Sequence, residues 1–416
     1  MLEPVDHDVV IVGGGMVGAS LAIALSATPL KVALLEAVPF RSQSQPSYDD
    51  RALALAYGTR RIFSGMGVWP ALAPQVTPIE HIHISDRGHF GATRLDRRDA
   101  AVEALGYVAE SRIVGAVVAE RLQQLANLTV YCPATLSDVV LGSGVAEVVV
   151  KEGEMQRRLT CRLVVAADGA TSTVRELLGI AMQRWEYGQT AIITNVTPDR
   201  PHGNRAYERF TDSGPLALLP MSDNRYSVVW TVRADYATSV LTMDDVTFLA
   251  ALQARVGRRV GTLIKVGRRR DYPLAMVRAR EHVRPRLALI GNAAHTLHPV
   301  AGQGFNLGVR DVAVLAEVLN EAVLAGQDIG TMDVLQRYAG WRQRDHLKMI
   351  AFTDGLARVF ANPLWPVRVV RNMSMVLVDL LPPLKEVLTR HTMGLAGKLP
   401  RLARGLPLQG TRNEPV

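Results

Sequence analysis

The run HDVVIVGGGMVGASLAIAL at 7–25 constrains the fold of this chain more than any other segment. Its unbroken apolar start, glycine-rich centre and small apolar residues predict a buried strand, a tight turn and a helix. Gly13, Gly15 and Gly18 have the spacing of the dinucleotide-binding fingerprint, which combines a tight turn, a backbone open to a pyrophosphate and close helix–strand packing. The run predicts an α/β fold that begins with a Rossmann-like nucleotide-binding unit.

An acidic residue, Glu36, ends the next predicted strand, KVALLE. A carboxylate at this place can accept hydrogen bonds from the ribose of an adenine dinucleotide. The helix after the glycine turn offers free N–H groups and positive dipole charge to the phosphates. The alternative is a structural glycine turn, with Glu36 on the surface.

Two later segments repeat the order of buried strand, loop and helix. LVVAADGATSTVRELLGI places Asp168 and Gly169 after a strand, and RLALIGNAAH places Gly291 and Asn292 after another. Ligands of open α/β sheets bind beyond the carboxyl ends of the strands, so we expect the loops to meet at one ligand. The alternative for Asp168 is a helix-capping role.

The third of these loops continues as TLHPVAGQGFN and leads into a long apolar helix. A glycine-rich backbone can lie against a planar ring, and a helix N-terminus favours negative charge beside it. The isoalloxazine ring is planar and becomes anionic on two-electron reduction, so the pattern indicates FAD. His295 and His298 are candidates for assisting deprotonation of a phenol, and the alternative is that both are structural.

Arg51 and Asn292 have more specific predicted roles in cofactor binding. Arg51 begins a helix-like stretch, RALALAYGTRRIF, where its guanidinium suits a phosphate; the alternative is an ordinary surface arginine. The Asn292 amide offers an acceptor to a ribityl hydroxyl and keeps a negative charge away from two phosphates. We therefore expect Asn292 to bind the cofactor, and the alternative is a turn-forming residue.

The region 179–272 contains short strand-like runs separated by turn residues, which predict a mixed or antiparallel sheet that covers the flavin and forms a substrate cavity. The run TMDDVTFLAALQARVG predicts a helix within it. Five aromatic residues are candidates for lining the cavity, with core packing as the alternative: Trp185, Tyr187, Phe210, Tyr226 and Trp230.

Composition is that of an ordinary globular protein, with 48% hydrophobic and 21% charged residues. We expect no secretory signal and no transmembrane helix. Residues 358–416 combine apolar pieces with nine Lys/Arg and three Asp/Glu, which favours an anionic membrane surface over a packed basic helix or nucleic acid. Cys132 and Cys161 are expected to be free thiols, and no metal site is predicted.

The three motifs in this order resemble the flavoprotein aromatic hydroxylases, the single-component FAD monooxygenases. The resemblance covers 8–355 and extends through MGLAGKLPRLA. Within the family, YDDRALAL, LGYVAESRIV, GPLALLP and HPVAGQGFNLGVRDV are similar to the ubiquinone-biosynthesis hydroxylases. Asn292 followed by TLHP is most similar to the 2-polyprenyl-6-methoxyphenol hydroxylase branch.

The resemblance implies a Rossmann-like FAD-binding domain, an inserted mixed β-sheet substrate domain and a C-terminal helical segment. The expected FAD-binding parts are 1–75, 104–178 and 273–355, and the expected substrate-domain parts are 76–103 and 179–272. The helical segment at 356–416 is the candidate for membrane association.

The resemblance also implies roles for single residues. Glu36 would bind the ribose, Arg51 the pyrophosphate, and Asn292 the ribityl or pyrophosphate region. Arg112 would lie near the flavin, and Asp168 with Gly169 would serve FAD and the nicotinamide donor. The remaining cofactor-binding residues, most of them along the flavin ring, would be Pro299, Gly302, Gln303, Gly304, Phe305 and Asn306.

The implied reaction is hydroxylation of a phenol ring in ubiquinone biosynthesis, with NAD(P)H and O₂ as co-substrates and a flavin C4a-hydroperoxide as the oxygen donor. The expected substrate is 2-polyprenyl-6-methoxyphenol, and no catalytic side chain is identified. Expected partners are a membrane surface and other ubiquinone-biosynthesis proteins, with a cytoplasmic or peripheral inner-membrane location and no nucleic acid. The alternatives are hydroxylation of a soluble phenol, a non-catalytic flavin-binding scaffold, and a flavin reductase of prenyl double bonds.

Overall fold

The computed structural model describes residues 3–40, 51–296, 303–362 and 364–408. The helices in this part of the chain are α1 (Met16–Leu25), α2 (Tyr57–Gly65), α3 (Trp69–Leu72), α4 (Ser111–Leu122), α5 (Thr173–Leu177), α6 (Ala234–Leu241), α7 (Asp245–Val256), α8 (Gln303–Leu324), α9 (Met332–Ala361), α10 (Trp365–Leu380) and α11 (Pro382–Thr392).

The strands are β1 (His7–Val12), β2 (Val32–Leu35), β3 (Ala52–Ala56), β4 (Thr77–Ile79), β5 (His81–Asp86), β6 (Ala92–Asp96), β7 (Gly106–Glu110), β8 (Leu128–Tyr131), β9 (Thr135–Leu141), β10 (Ala146–Glu152), β11 (Met155–Ala166), β12 (Met182–Pro198), β13 (Arg205–Thr211), β14 (Gly214–Met221), β15 (Arg225–Arg233), β16 (Leu263–Val266), β17 (Arg270–Ala279), β18 (Val283–Arg284), β19 (Leu287–Leu289) and β20 (His295–Thr296).

The nucleotide-binding part is built on an eight-stranded sheet in the order β18-β19-β11-β1-β2-β8, with β10 and β9 continuing from β11. The pairs β19–β11, β11–β1, β1–β2 and β2–β8 are parallel. Helices α1, α4 and α8 cover one face, and the β9–β10 hairpin packs on the other. Burial on both faces explains why these strands are continuous apolar runs in the sequence.

A second sheet of nine strands has the order β20-β17-β12-β15-β14-β13-β5-β6, with β16 beside β12. Its pairs are antiparallel except for β13–β5, which is parallel. Helices α6 and α7 pack on its outer face, where Trp230 and Phe248 meet in the core. A small sheet in the order β3-β7-β4 lies between the two larger ones. The predicted mixed sheet and the α/β fold class are therefore confirmed.

One secondary-structure prediction is wrong. The stretch after Arg51 begins as strand β3, and helix α2 starts only at Tyr57. The alternating Leu53 and Leu55 lie in a strand whose backbone pairs with β7, and this tertiary pairing outweighs the helical preference of alanine and leucine. The predicted helix after Thr242 is present as α7, and both cysteines are free thiols.

The C-terminal helix α10 packs against the second sheet, mainly against β6, and α11 packs on α10, with Leu388 against the cluster that contains Leu95 of β6. Arg371 of α10 forms an ion pair with Asp86 at the end of β5, and Asn372 bonds the same carboxylate. In the described part of the chain, no helix is both long enough and apolar enough to cross a bilayer.

Candidate active site

The glycine turn between β1 and α1 is as tight as its sequence predicts. Gly13 has a φ of +102°, and a Cβ atom there would lie 2.6 Å from the carbonyl oxygen of Ala167. A Cβ at Gly18 would lie 2.0 Å from the carbonyl oxygen of Gly13. Gly15 is the N-cap of α1 and has no side chain to shield the first-turn N–H groups. These N–H groups are therefore available to phosphate oxygens.

Glu36 is a buried residue at the end of β2, which excludes the surface alternative. Its Oε2 accepts the N–H of Gly14 at 2.7 Å, and its Oε1 accepts the N–H of Val38 at 2.8 Å. Each carboxylate oxygen can accept more than one hydrogen bond, so the group both orders the glycine turn and can receive a hydroxyl donor.

The ends of β1, β11 and β19 meet at one edge of the sheet. Ala167 donates its N–H to the carbonyl oxygen of Val12 at 2.8 Å, and Ile290 donates to that of Ala166 at 3.0 Å. Asp168 follows directly, and its Oδ2 accepts the N–H of Val174 in α5 at 3.1 Å. Its Oδ1 is shielded from solvent and has no hydrogen-bond partner among the described residues. The capping interaction therefore exists, but it uses only one of the two oxygens.

Asn292 lies in a short 3-10 turn, Gly291–Ala293, and is exposed at the same edge. A Cβ at Gly291 would lie 3.1 Å from Cγ1 of Val17, so this turn packs directly on the first turn of α1. The Asn292 carbonyl oxygen accepts from Nη1 of Arg175 at 3.3 Å. The side-chain amide thus sits beside the glycine turn, within the group of strand-end loops.

The first residues of α8 differ in their surroundings: Gly304 faces open space, Phe305 packs against the core, and Asn306 forms hydrogen bonds with β3. A Cβ at Gly304 would meet no atom within 4 Å, whereas the ring of Phe305 packs toward Phe63, with ring centroids 6.4 Å apart. The Asn306 side chain accepts the N–H of Ala56 at 2.8 Å and donates to the carbonyl oxygen of Ala54 at 2.8 Å. Asn306 therefore joins α8 to β3. Gly169 likewise faces open space, since a Cβ there would meet no atom within 4 Å.

Four predicted residues fall wholly or partly outside the described part of the chain. His298, Pro299 and Gly302 lie outside the described residues. Gln303 is the first residue of α8, and its side chain is likewise outside them.

Arg51 and Arg112 lie together at one end of the small sheet, because Ser111 donates its N–H to the carbonyl oxygen of Arg51 at 2.8 Å. The Arg51 guanidinium lies over the ring of Tyr272, 5.3 Å from its centroid. Arg112 pairs with Glu110 at 2.6 Å. Arg51 directly precedes β3, and Arg112 is the second residue of α4. Their roles toward the pyrophosphate and the flavin stay predictions.

A buried cluster of one aspartate and two histidines lies behind the third loop. No pattern in the sequence indicated that these residues come together. Asp311 of α8 accepts hydrogen bonds from Gly291 N–H at 3.0 Å and Arg342 Nε at 2.7 Å, and its carboxylate contacts His295 and His346 at 2.8 and 3.1 Å. Burial alone would raise the pKa of Asp311, but Arg342 and the histidines hold it well below its usual value. The signal that could have identified it is an aspartate on the apolar face of α8.

The same cluster supports the structural alternative for His295. Asp311, His295 and His346 have a spacing that suits a metal ion. Arg342 already neutralises that carboxylate, so a divalent cation there would face an adjacent positive charge. The cluster instead fixes the Gly291 turn to helices α8 and α9.

A cavity of about 830 Å³ lies between the small sheet, the inner face of the second sheet and helices α9 to α11. Its wall includes Asn306, the alanines of β3 and Phe360. Phe210 lines it and stacks on Phe360, with centroids 3.5 Å apart. Of the other aromatic candidates, Tyr226 and Trp230 pack in the outer core and Trp185 is exposed.

The residues at the strand ends fit FAD. Among the described residues, Oδ1 of Asp168 is an acceptor without a donor, and a Cβ at Gly169 or Gly304 would meet open space where a ring or a pyrophosphate could lie. Glu36 supplies a second acceptor beside the glycine turn. Acceptors for hydroxyl groups and open backbone for phosphates are therefore both present, as expected for a dinucleotide site.

Comparison with known proteins agrees with this geometry. A family model described as an FAD binding domain matches residues 6–353. Ubiquinone hydroxylase UbiL of Rhodospirillum rubrum is 39% identical over 407 residues, covering 96% of this chain and 93% of that protein. The 3-demethoxyubiquinol 3-hydroxylase of Escherichia coli is 32% identical, covering 93% of this chain and 98% of that protein.

Solved structures show the same fold at lower identity. The p-nitrophenol 4-monooxygenase PnpA of Pseudomonas putida superposes with a TM-score of 0.77 at 20% identity, covering 94% of this chain and 98% of that one. This likeness confirms the predicted fold. The family match and the relatives of 32% and 39% identity confirm the predicted enzyme class, its FAD cofactor and its NAD(P)H co-substrate. The chain therefore belongs to the FAD-binding-domain family of flavoprotein aromatic hydroxylases and is an FAD-dependent monooxygenase.

Proposed function

We propose that this enzyme hydroxylates the ring of a polyprenylated phenol in ubiquinone biosynthesis, with 2-polyprenyl-6-methoxyphenol as the substrate. The observation that carries the proposal is one mainly apolar cavity lined both by Asn306 at the start of α8 and by residues of the C-terminal helices. The relatives named as ubiquinone hydroxylases support the same pathway.

The cavity suits a phenol with a hydrocarbon tail. Its volume of about 830 Å³ lies in the upper part of the range that encloses drug-sized ligands, and is more than a single phenol ring fills. Its lining is mainly alanine, leucine, isoleucine, valine and phenylalanine. Burial of an isoprenoid chain against such a surface is favourable by roughly 25 cal/mol for each Å² of apolar area removed from water.

The protein's residues orient the substrate and exclude water. FAD, when bound, supplies the transfer of electrons from NAD(P)H to O₂ and delivers one electrophilic oxygen atom. Asn306 lies both at the start of α8 and in the cavity wall, so the substrate ring would lie beside the segment expected to contact the flavin. The alanines of β3 leave room for the ring, and the apolar walls keep bulk water away from it.

We also propose that the enzyme takes its substrate from a membrane through the C-terminal apolar face. We define this face by its exposed apolar side chains, which are Leu364, Trp365, Val369, Val370, Met373, Leu377, Leu380, Leu381, Leu384 and Val387. An exposed apolar area of this extent is unusual for a monomeric soluble protein and marks a contact with lipid or protein.

The C-terminal apolar face adjoins the mouth of the cavity. Val370 lines the cavity although it is 64% exposed, and Pro366 and Ser374 are also both exposed and cavity-lining. The surrounding segment 358–416 carries six more basic than acidic residues (nine against three), which complements an anionic lipid surface. The polyprenyl chain of a substrate held in the bilayer could therefore enter the cavity without passing through water.

Membrane association is tested with paired substitutions on this face. The variant with Val370→Glu and Leu377→Glu should bind vesicles of phosphatidylglycerol and phosphatidylcholine at least about tenfold more weakly than the parent, because two apolar contacts become charged. The control is Val246→Glu on α7, which changes an exposed valine on the far side of the second sheet. Sedimentation with vesicles measures the bound fraction. Equal binding of both variants and the parent would contradict the proposal, and binding only to a protein partner would assign the face to an assembly.

The reaction is tested with the purified holoenzyme and 2-geranyl-6-methoxyphenol. We expect NAD(P)H oxidation, O₂ uptake and a product heavier by one oxygen atom, with the oxygen derived from labelled O₂. A soluble phenol such as 4-hydroxybenzoate is the control. Turnover of the control at a higher kcat/KM than the geranyl compound would instead favour the soluble-phenol alternative.

A further inference from the structure

Glu208 on β13 is a carboxylate in the wall of the mainly apolar cavity. Along its strand, Ala206 and Phe210 point to the same side and also line the cavity. Across the sheet, Glu208 pairs with Ile84 of β5 and with Ala217 of β14, and both of these line the cavity. Since alternate residues of a strand face opposite sides, this register directs Glu208 toward the cavity.

The same transverse row continues across the sheet. Ala217 pairs with Val229 of β15, and Val229 pairs with Ile193 of β12. Both of these residues line the cavity as well. Glu208 is thus the single polar group in a row of five cavity-lining residues on five adjacent strands.

No protein group in the described residues compensates this carboxylate. Its Oε1 is shielded from solvent and has no hydrogen-bond partner. Arg371 is the other charged residue of the cavity wall, and it is already paired with Asp86 at 2.8 Å. On α11, the nearby cation Lys385 is paired with Asp99.

The charged groups of the opposite sheet face do not compensate it either. Arg209, the next residue on β13, points away from the cavity, and His83 of β5 lies on that same side, where it contacts Arg259 at 3.1 Å. With no such partner, burial raises the pKa of Glu208 to about 7. Glu208 is half-buried, and a carboxylate oxygen that is shielded from solvent with no partner among the described residues is unfavourable for folding. This makes Glu208 a candidate for a functional role.

We propose that Glu208 hydrogen-bonds the phenolic hydroxyl of the substrate and accepts its proton as the ring is hydroxylated. This proposal rests on the proposed function. The phenol O–H bond breaks, the proton moves to a carboxylate oxygen of Glu208, and the bonding pair stays on the phenolic oxygen. That oxygen then increases electron density at the ortho and para carbons, where oxygen is delivered. The ring then releases its C–H proton to water and becomes aromatic again, and the phenolic oxygen recovers its own proton from Glu208.

The test compares Glu208→Gln with the holoenzyme. Glutamine keeps the size and a hydrogen bond but cannot accept the proton. We expect the rate of hydroxylation of 2-geranyl-6-methoxyphenol to fall by about 100-fold, the lower end of the usual contribution of general base catalysis. NAD(P)H should still be oxidised, with H₂O₂ replacing the hydroxylated product. The parent rate should rise with pH through about 7 as the base ionises, and the variant should lack this rise.

A matched control is Glu186→Gln, which changes an exposed glutamate of the same sheet and should leave rate and coupling unchanged. FAD content and melting temperature confirm that each variant is folded. If the parent hydroxylates the geranyl compound and Glu208→Gln does so with the same rate and pH profile, the role of Glu208 is refuted while the proposed function stands.

Binding gives a readout that does not depend on turnover. The ultraviolet difference spectrum of the geranyl compound bound to oxidised holoenzyme reports the pKa of the bound phenol. In Glu208→Gln this pKa should be lower by about one unit or more, because the neighbouring carboxylate no longer opposes a phenolate charge. An unchanged pKa overturns the contact, and failure of the parent to bind the compound overturns this inference together with the proposed function.

Discussion

Gly18→Ala should yield a folded protein that has lost its yellow colour. The added Cβ would lie 2.0 Å from the carbonyl oxygen of Gly13, a contact that only movement of the turn or of α1 can relieve. Either movement displaces the N–H groups that face the pyrophosphate. We expect the Kd for FAD to rise at least about 100-fold, which corresponds to ~2.7 kcal/mol. Fluorescence titration of the apoprotein with FAD measures it.

The matched control is Gly340→Ala. Gly340 is also helical, but it is exposed on α9 and a Cβ there would meet no atom within 4 Å. Alanine has the higher helix propensity, by ~1 kcal/mol, so this variant should retain FAD and be at least as stable as the parent. Full FAD occupancy of Gly18→Ala would show that the close approach is not needed for binding.

Asp311→Ala should cost about 3–5 kcal/mol of the free energy of unfolding, the usual effect of removing one partner from a buried ion pair. Both Asp311 and Arg342 have fully buried side chains, so the arginine would lose its fully buried partner and keep only its ion pair with Asp345 at 2.7 Å. The Gly291 N–H would lose its acceptor as well, and FAD affinity should fall. Denaturant unfolding and FAD titration are the measurements.

Two further variants separate charge from packing. Adding Arg342→Met to Asp311→Ala should recover part of the lost stability, because the buried cation that lost Asp311 is removed while Asp345 keeps its ion pair with Arg310. Asp212→Ala breaks an exposed pair with Arg87 and should cost less than ~1 kcal/mol. The charge argument is wrong if Asp311→Ala costs no more than this surface control.

The sequence predicted those parts of the site that depend on local backbone chemistry. Gly13 and Gly18 occupy places where a side chain would collide with backbone, and this need is visible in the spacing alone. The apolar strands before Asp168 and Gly291 indicated burial on both faces, and hence parallel strands whose loops share one edge. The error at 52–56 arose because strand pairing with β7 is a long-range effect that local propensity does not contain.

The sequence did not indicate the residues that act through distant contacts. In the sequence, Asp311 is one aspartate in an apolar helix. Its role became visible only from its contacts with His346 and Arg342, which belong to α9. Glu208 looked like the polar position of an ordinary alternating strand. Whether Glu208 lies in the cavity depends on which face of β13 is directed toward it. That orientation is fixed by pairing with β5, more than 120 positions earlier in the chain.

The chain's own order of residues determined that it binds a dinucleotide, because glycine spacing and strand-end polarity are properties of short segments. Only the tertiary structure decided that α10 and α11 close the cavity and that an apolar face borders its mouth. It also decided that the Glu208 carboxylate lies in the cavity wall with no partner for its Oε1 among the described residues. The physical reason is that burial and pairing of a side chain depend on segments far apart in sequence, whose contacts form only when the sheets and helices pack.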